Sequence, residues 1–167
     1  MQLTQKERML LEDQKKQEEL CIKKYTEAAQ KAKDPQLQQL FTAYAEQERQ
    51  HYQTVEQILN GQVPNIQQGS QAGQQSGQQQ GSQSGGQQQS GQNIAGGSTA
   101  LAGQADADLC SDMLATEKYV SGTYDTVIFE CTDPQVRQAL NHIQKEEQQH
   151  GEGIFNYMQQ HGMYQVQ

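Results

Sequence analysis

A chain of 167 residues is a length typical of one domain, and its net charge of −8 argues against nucleic acid or an anionic membrane surface as main partner. Only 33% of residues are hydrophobic and there is no apolar run of about 18 or more, so no membrane insertion is expected. Met1–Glu12 lacks a basic and then apolar leader, which predicts no secretory signal. Three widely spaced cysteines, Cys21, Cys110 and Cys131, form no disulfide framework or CxxC pair and read as buried thiols.

Three regions follow in chain order. Residues 1–61 are charged and periodically apolar, and read as a first helical hairpin. Residues 62–104 are almost entirely Gln, Gly, Ser and Ala, too poor in apolar surface to offset ordering entropy, and read as a low-complexity flexible linker. A linker of that length spans roughly 35 Å by the square-root rule, enough to cross a helical bundle. Residues 105–167 are periodic again and read as a second hairpin, the two forming one bundle domain.

The outer regions repeat each other. A shift of 99 carries Asp34-Pro35-Gln36 onto Asp133-Pro134-Gln135, Glu18 onto Glu117, Tyr25 onto Tyr124, Glu48 onto Glu147 and His51 onto His150. Asp34 and Asp133 suit helix N-caps, with Pro35 and Pro134 at the first helical position. Helices are therefore predicted over 4–33, 35–60, 105–132 and 134–161, with Gly61 and Gly162 at helix ends.

Each helix carries a heptad seam. The first is Leu11, Gln14, Glu18, Cys21, Tyr25, Ala28 and Ala32; the second is Leu37, Phe41, Tyr44, Glu48, His51, Val55 and Ile58. The third is Cys110, Met113, Glu117, Val120, Tyr124, Val127 and Cys131; the fourth is Val136, Leu140, Ile143, Glu147, His150, Ile154 and Tyr157. A single Glu interrupts the first and third seams, and Glu-x-x-His interrupts the second and fourth. Glu18 lies 16 residues before Asp34, with Glu48 and His51 14 and 17 after it (34 − 18, 48 − 34, 51 − 34), and the second hairpin repeats these counts. All six are then roughly 21–26 Å from a turn, and hairpins packed together with matched ends would bring them to one layer.

Four ionised carboxylates in a bundle core would be strongly unfavourable, and no seam carries Lys or Arg to pair with them. Two divalent cations would supply the missing charge. Oxygen and imidazole donors together suit iron or manganese, and zinc also accepts them. The metal-ligand candidates are thus Glu18, Glu48, His51, Glu117, Glu147 and His150. Glu19, Glu46, Glu56, Glu130, Glu146 and Glu152 fall off the seam and are expected in solvent, as is the off-seam His142. His161, eleven residues beyond His150, reads as an end-of-bundle residue, and Tyr25 and Tyr124 as core residues.

The segments LLEDQKKQEELCIKKY and AEQERQHYQTVEQILNG resemble the first half of the spore coat protein F family. The segment from Asp106 to Tyr164, beginning DADLCSDMLATEKYVSGTYDTVIFECTDPQ, resembles its second half more closely. The resemblance implies an all-α, ferritin-like four-helix bundle. It also implies synthesis in the mother-cell cytoplasm and deposition in the spore coat among other coat proteins. The wider ferritin-like superfamily implies that Glu48 and Glu147 bridge the metals or bind one each, that His51 and His150 each cap one metal, and that Glu18 and Glu117 are terminal ligands. Three functions stay open: a structural coat protein with a di-metal site, a peroxide-consuming di-manganese or di-iron redox enzyme, and a metal-free assembly module cross-linked through its Gln-rich tract. A homo-oligomer or hairpin exchange between chains is compatible with so long a linker.

Overall fold

The computed structural model describes residues 2–62 and 96–164. Its helices are α1 (Gln5–Lys31), α2 (Pro35–Leu59), α3 (Gly96–Glu130) and α4 (Pro134–Gln160), with no strand among the described residues. Their starts are chemically marked. Thr4 and Glu7 form a reciprocal capping box on α1. Asp34 accepts from Gln36 N–H and Asp133 from Gln135 N–H, with proline next in both cases. Gly61 and Gly162 adopt left-handed φ of 78° and 67° just past α2 and α4, a conformation that glycine reaches without a Cβ clash.

Helix α3 begins nine residues before the predicted start (105 − 96). The segment holds Ala100, Leu101 and Ala102, good helix formers, and lengthening a nucleated helix costs little. The Gly/Ser-rich composition around them concealed this. The rest of the expected linker, 63–95, lies outside the described residues.

The seams pack as two apolar clusters. One holds Leu11, Val55, Ile58, Val127, Val136 and Leu140; the other holds Tyr25, Leu37, Phe41, Cys110, Met113 and Ile154. All three cysteines are free and buried. The α2 seam departs from expectation at one position: Ala45, not Tyr44, is buried. An α-helix turns every 3.6 residues and drifts against a strict heptad. Tyr44 consequently stands at the seam's edge and lays its ring across to α4.

Each hairpin caps the turn of the other. Asp106 of α3 is buried and accepts from the backbone N–H groups of Lys33 and Asp34 at 2.8 and 3.0 Å. Its counterpart at the 99-residue shift, Glu7 of α1, is buried and accepts from Thr132 N–H at 2.7 Å and Thr132 Oγ1–H at 2.9 Å. Tyr157 also donates to Asp34 at 2.7 Å. The hairpins therefore pack head to tail, each turn beside the other's open end. The level of the candidate ligands survives this inversion, with Glu18 and Glu147 at the midpoints of their helices. Glu18 is 13 residues from each end of α1 (18 − 5, 31 − 18), and Glu147 is 13 from each end of α4 (147 − 134, 160 − 147).

Burial raises the Glu7 pKa, but hydrogen bonds from Thr132 and Thr4 outweigh it and hold the value at about 2, below the ordinary 4.5. A depressed native pKa stabilises the fold above the unfolded value, and that stability is lost as pH falls through the native one. Glu7→Gln is expected to cost about 2 kcal/mol at pH 7. The gap from the parent chain should close as pH falls from 4.5 towards 2, as read by chemical denaturation.

Candidate metal centre

The head-to-tail packing brings six polar side chains into one layer between the apolar clusters. Glu18 comes from α1, Glu48 and His51 from α2, Glu117 from α3, and Glu147 and His150 from α4; none is more than 2% exposed. Their donor atoms form two groups, Glu18–Glu48–His51–Glu147 and Glu48–Glu117–Glu147–His150, each with all its atoms within 4.8 Å of one another. Glu48 and Glu147 belong to both, so they stand between the two positions.

Within the layer, His51 Nδ1–H donates to Glu147 and His150 Nδ1–H to Glu48, each at 3.0 Å. Both contacts cross from one hairpin to the other. One oxygen of every glutamate, the Oε2 of Glu18, Glu48, Glu117 and Glu147, is buried with no hydrogen-bond partner. His51 Nδ1 lies 3.4 Å from Glu48 Oε2 and 3.8 Å from Glu18 Oε2, but its proton is directed at Glu147. A buried carboxylate oxygen without a partner is unfavourable by a kcal/mol or more. Here four point into one small volume.

A second layer holds the first. Tyr25 of α1 donates its hydroxyl to Glu117 of α3, and Tyr124 of α3 donates to Glu18 of α1. These tyrosines are core residues, as the seam predicts, and hydrogen-bond donors as well. His51 Nε2–H donates to Glu146 and His150 Nε2–H to the Gln47 side-chain oxygen, each at 3.0 Å. Glu146 is thus not a solvated residue, as its off-seam position predicted, but half-buried against the layer. It lies a third of a turn round α4 from Glu147, which aims it at α2. Its signal in the sequence was the polar pair Gln47 and Glu146 at equivalent repeat positions. His142 lies 3.5 Å from Glu146, outside the layer. His161 caps the end of α4, its Nδ1 bonded to Tyr157 O. Glu19, Glu46 and Glu152 are exposed, while Glu56 pairs with Lys15 and Glu130 with Lys6.

On the α4 side the layer is also stacked. The Tyr44 ring lies over His150, with centroids 4.3 Å apart, and Tyr25 meets Tyr44 edge-on at 5.6 Å. Gly153 admits this: a Cβ there would sit 1.8 Å from the Tyr44 hydroxyl.

Two family models match the chain. Residues 105–167 match the Coat F domain, and residues 4–74 match Rubrerythrin, a ferritin-like family. The chain has a ferritin-like fold whose second hairpin is similar to the Coat F domain. Comparison with curated proteins and with solved structures gives no match. The coat F domain contributes Glu117, Glu147 and His150, and the rubrerythrin-like half contributes Glu18, Glu48 and His51. The rubrerythrin-like match and the buried Glu/His cluster together suggest divalent metal binding.

The electrostatics fit such a site. Burial, then repulsion from Glu147 and Glu48, holds Glu18 well above the usual carboxylate range. Burial likewise pushes Glu117 up to about 8. Burial also acts on Glu48 and Glu147, but hydrogen bonds from His150 and His51 outweigh it and keep both below the ordinary value. Burial opposes charging of the histidines, yet their carboxylate partners raise His150 to about 11 and His51 well above its usual range. The imidazoles are thus held charged beside Glu48 and Glu147, while burial resists charge on Glu18 and Glu117, and a cation would compete with the protons that face inward.

Removing one tyrosine hydroxyl tests the second layer. Tyr124→Phe keeps the ring but strips the donor from Glu18 in a fully buried site. A loss of about 1–3 kcal/mol is expected in chelator-treated protein by denaturant unfolding.

Proposed function

We propose that this chain is a structural protein of the spore coat whose bundle is braced by a carboxylate/histidine di-metal centre. The coat F match supports the coat role. The observation that carries the metal centre is the convergence of four unpartnered carboxylate oxygens on two buried imidazoles, with no buried Lys or Arg among the described residues. Glu48 and Glu147 would bridge, Glu18 and Glu117 would be terminal, and His51 and His150 would each cap one ion through Nδ1. Iron or manganese suits these donors, and so does zinc.

When bound, such ions would supply positive charge at mid-core and tie all four helices together. The chain's own residues prepare for this. The Nε2–H bonds to Glu146 and Gln47 fix each imidazole so that Nδ1 faces inward. Tyr25 and Tyr124 orient the terminal glutamates while burial and the nearby carboxylates keep their hydroxyl protons in place. Uptake would expel the protons on Nδ1 and on Glu18 and Glu117, so affinity is expected to rise with pH across the neutral range.

A second reading, a redox enzyme consuming peroxide, is favoured by one observation. An open groove of about 570 Å³ between α3 and α4 has Glu117 and Glu147 in its walls. It leads towards the layer, whose carboxylates are themselves buried. Neither reading needs a membrane: no helix among the described residues is long and apolar enough to cross one.

Elemental analysis of protein purified without chelators is expected to give two divalent ions per chain. Glu48→Ala combined with Glu147→Ala should abolish stoichiometric metal and lower the Tm of metal-loaded samples; unchanged metal content would refute the site. Peroxide consumption by metal-loaded protein separates the two readings, since the structural one expects none.

A further inference from the structure

The two hairpins descend from one pattern, so each position in one can be compared with its partner 99 residues away. The six candidate ligands are preserved across that comparison. Their surroundings are not, and the differences set the two sides of the centre apart.

The first difference is behind the histidines. His51 Nε2–H donates to a carboxylate, Glu146, whereas His150 Nε2–H donates to the amide oxygen of Gln47, both at 3.0 Å. A carboxylate behind an imidazole makes it the more basic and better-held ligand, and such partners alter metal affinity by about 10- to 100-fold. The position capped by His51 has this support; the one capped by His150 does not.

The second difference is access. The groove between α3 and α4 is lined by Leu114, Ser121, Gly122 and Gly151 beside Glu117 and Glu147. The equivalent positions between α1 and α2 are Lys15, Ile22, Lys23 and Tyr52. There Lys15 lies over the Tyr52 ring at 4.9 Å and pairs with Glu56 at 2.7 Å, which covers the seam. The cavity between α1 and α2, walled by Thr26, Ala45, Arg49 and their neighbours, does not include Glu18 or Glu48. Small residues therefore open the Glu117–His150 side where larger ones close the Glu18–His51 side.

We propose that the duplicated halves have diverged into one retained divalent-cation position, capped by His51, and one exchangeable position, capped by His150 and served by the α3–α4 groove. This rests on the di-metal reading above. Glu117 and Glu147 lie beneath the groove with their carboxylates buried, and Ser121, Gln144 and Gln148 supply polar walls that would exchange for the water of an incoming hydrated cation. Glu146 acts as a positioning residue, through His51.

Full-length protein loaded with cobalt(II) and challenged with excess EDTA tests this. Two bound ions, read by cobalt absorption, should leave in two phases of equal amplitude. Glu146→Gln should hasten the slow phase by about 10- to 100-fold and spare the fast one. The reciprocal Gln47→Glu should slow the fast phase. Ser121→Ile, alone and with Gly151→Tyr, copies the side chains of the closed hairpin and should slow the fast phase several-fold without altering the two-ion stoichiometry. Circular dichroism of each variant verifies folding, and the single Ser121→Ile keeps the groove test available if the pair perturbs it. Loss of both ions in one phase, an effect of Glu146→Gln on the fast phase, or unchanged rates in Ser121→Ile would overturn the assignment while leaving the di-metal reading intact. Fewer than two ions on the parent protein would overturn both.

Discussion

Four carboxyl groups buried at mid-bundle, with no buried lysine or arginine among the described residues, set the terms for the rest of this structure. An apolar four-helix bundle would gain stability by replacing them with leucine. Their retention obliges the surroundings to supply positive charge and hydrogen bonds. The histidines supply part of both, each reaching into the opposite half. The tyrosines supply a donor to each terminal glutamate, again from the opposite hairpin. One oxygen on every glutamate still lacks a partner, and divalent cations are the simplest species that satisfy all four at once.

The same cross-hairpin logic operates at the bundle ends. Asp106 and Glu7 hold the turn of the other hairpin by its backbone N–H groups, so neither hairpin satisfies its polar groups alone. Turns and ligand layer are thus joined in one approximately two-fold arrangement. Apolar packing alone would tolerate sliding of one hairpin along the other; the end clamps and the central layer together fix a single register.

Duplication preserved the chemistry of the layer and left its periphery free to change. Aromatic rings collect about His150, where Tyr44 stacks and Gly153 makes room, while aliphatic Ile143 stands at the position equivalent to Tyr44. The groove beside Glu117 and the Lys15–Tyr52 cover on the other hairpin extend this contrast to the surface. Two positions built from the same donors thereby face different dielectric and steric surroundings.

The sequence by itself determined the all-α class, the duplication, the turns at Asp34 and Asp133, and the depth and seam of the six candidate ligands. All of these are local quantities: caps act within one turn, and a seam is a period along one helix. Only the tertiary structure decided the partners. Whether Glu146 faces water or His51 depends on how far α4 is rotated against α2, and no period along α4 records that. The tyrosine donors and the head-to-tail clamps likewise join residues about 70 to 125 positions apart, and the open groove joins two separate helices. The early start of α3 escaped detection for the opposite reason: its composition resembles the tract before it, while its conformation follows from the helix after it.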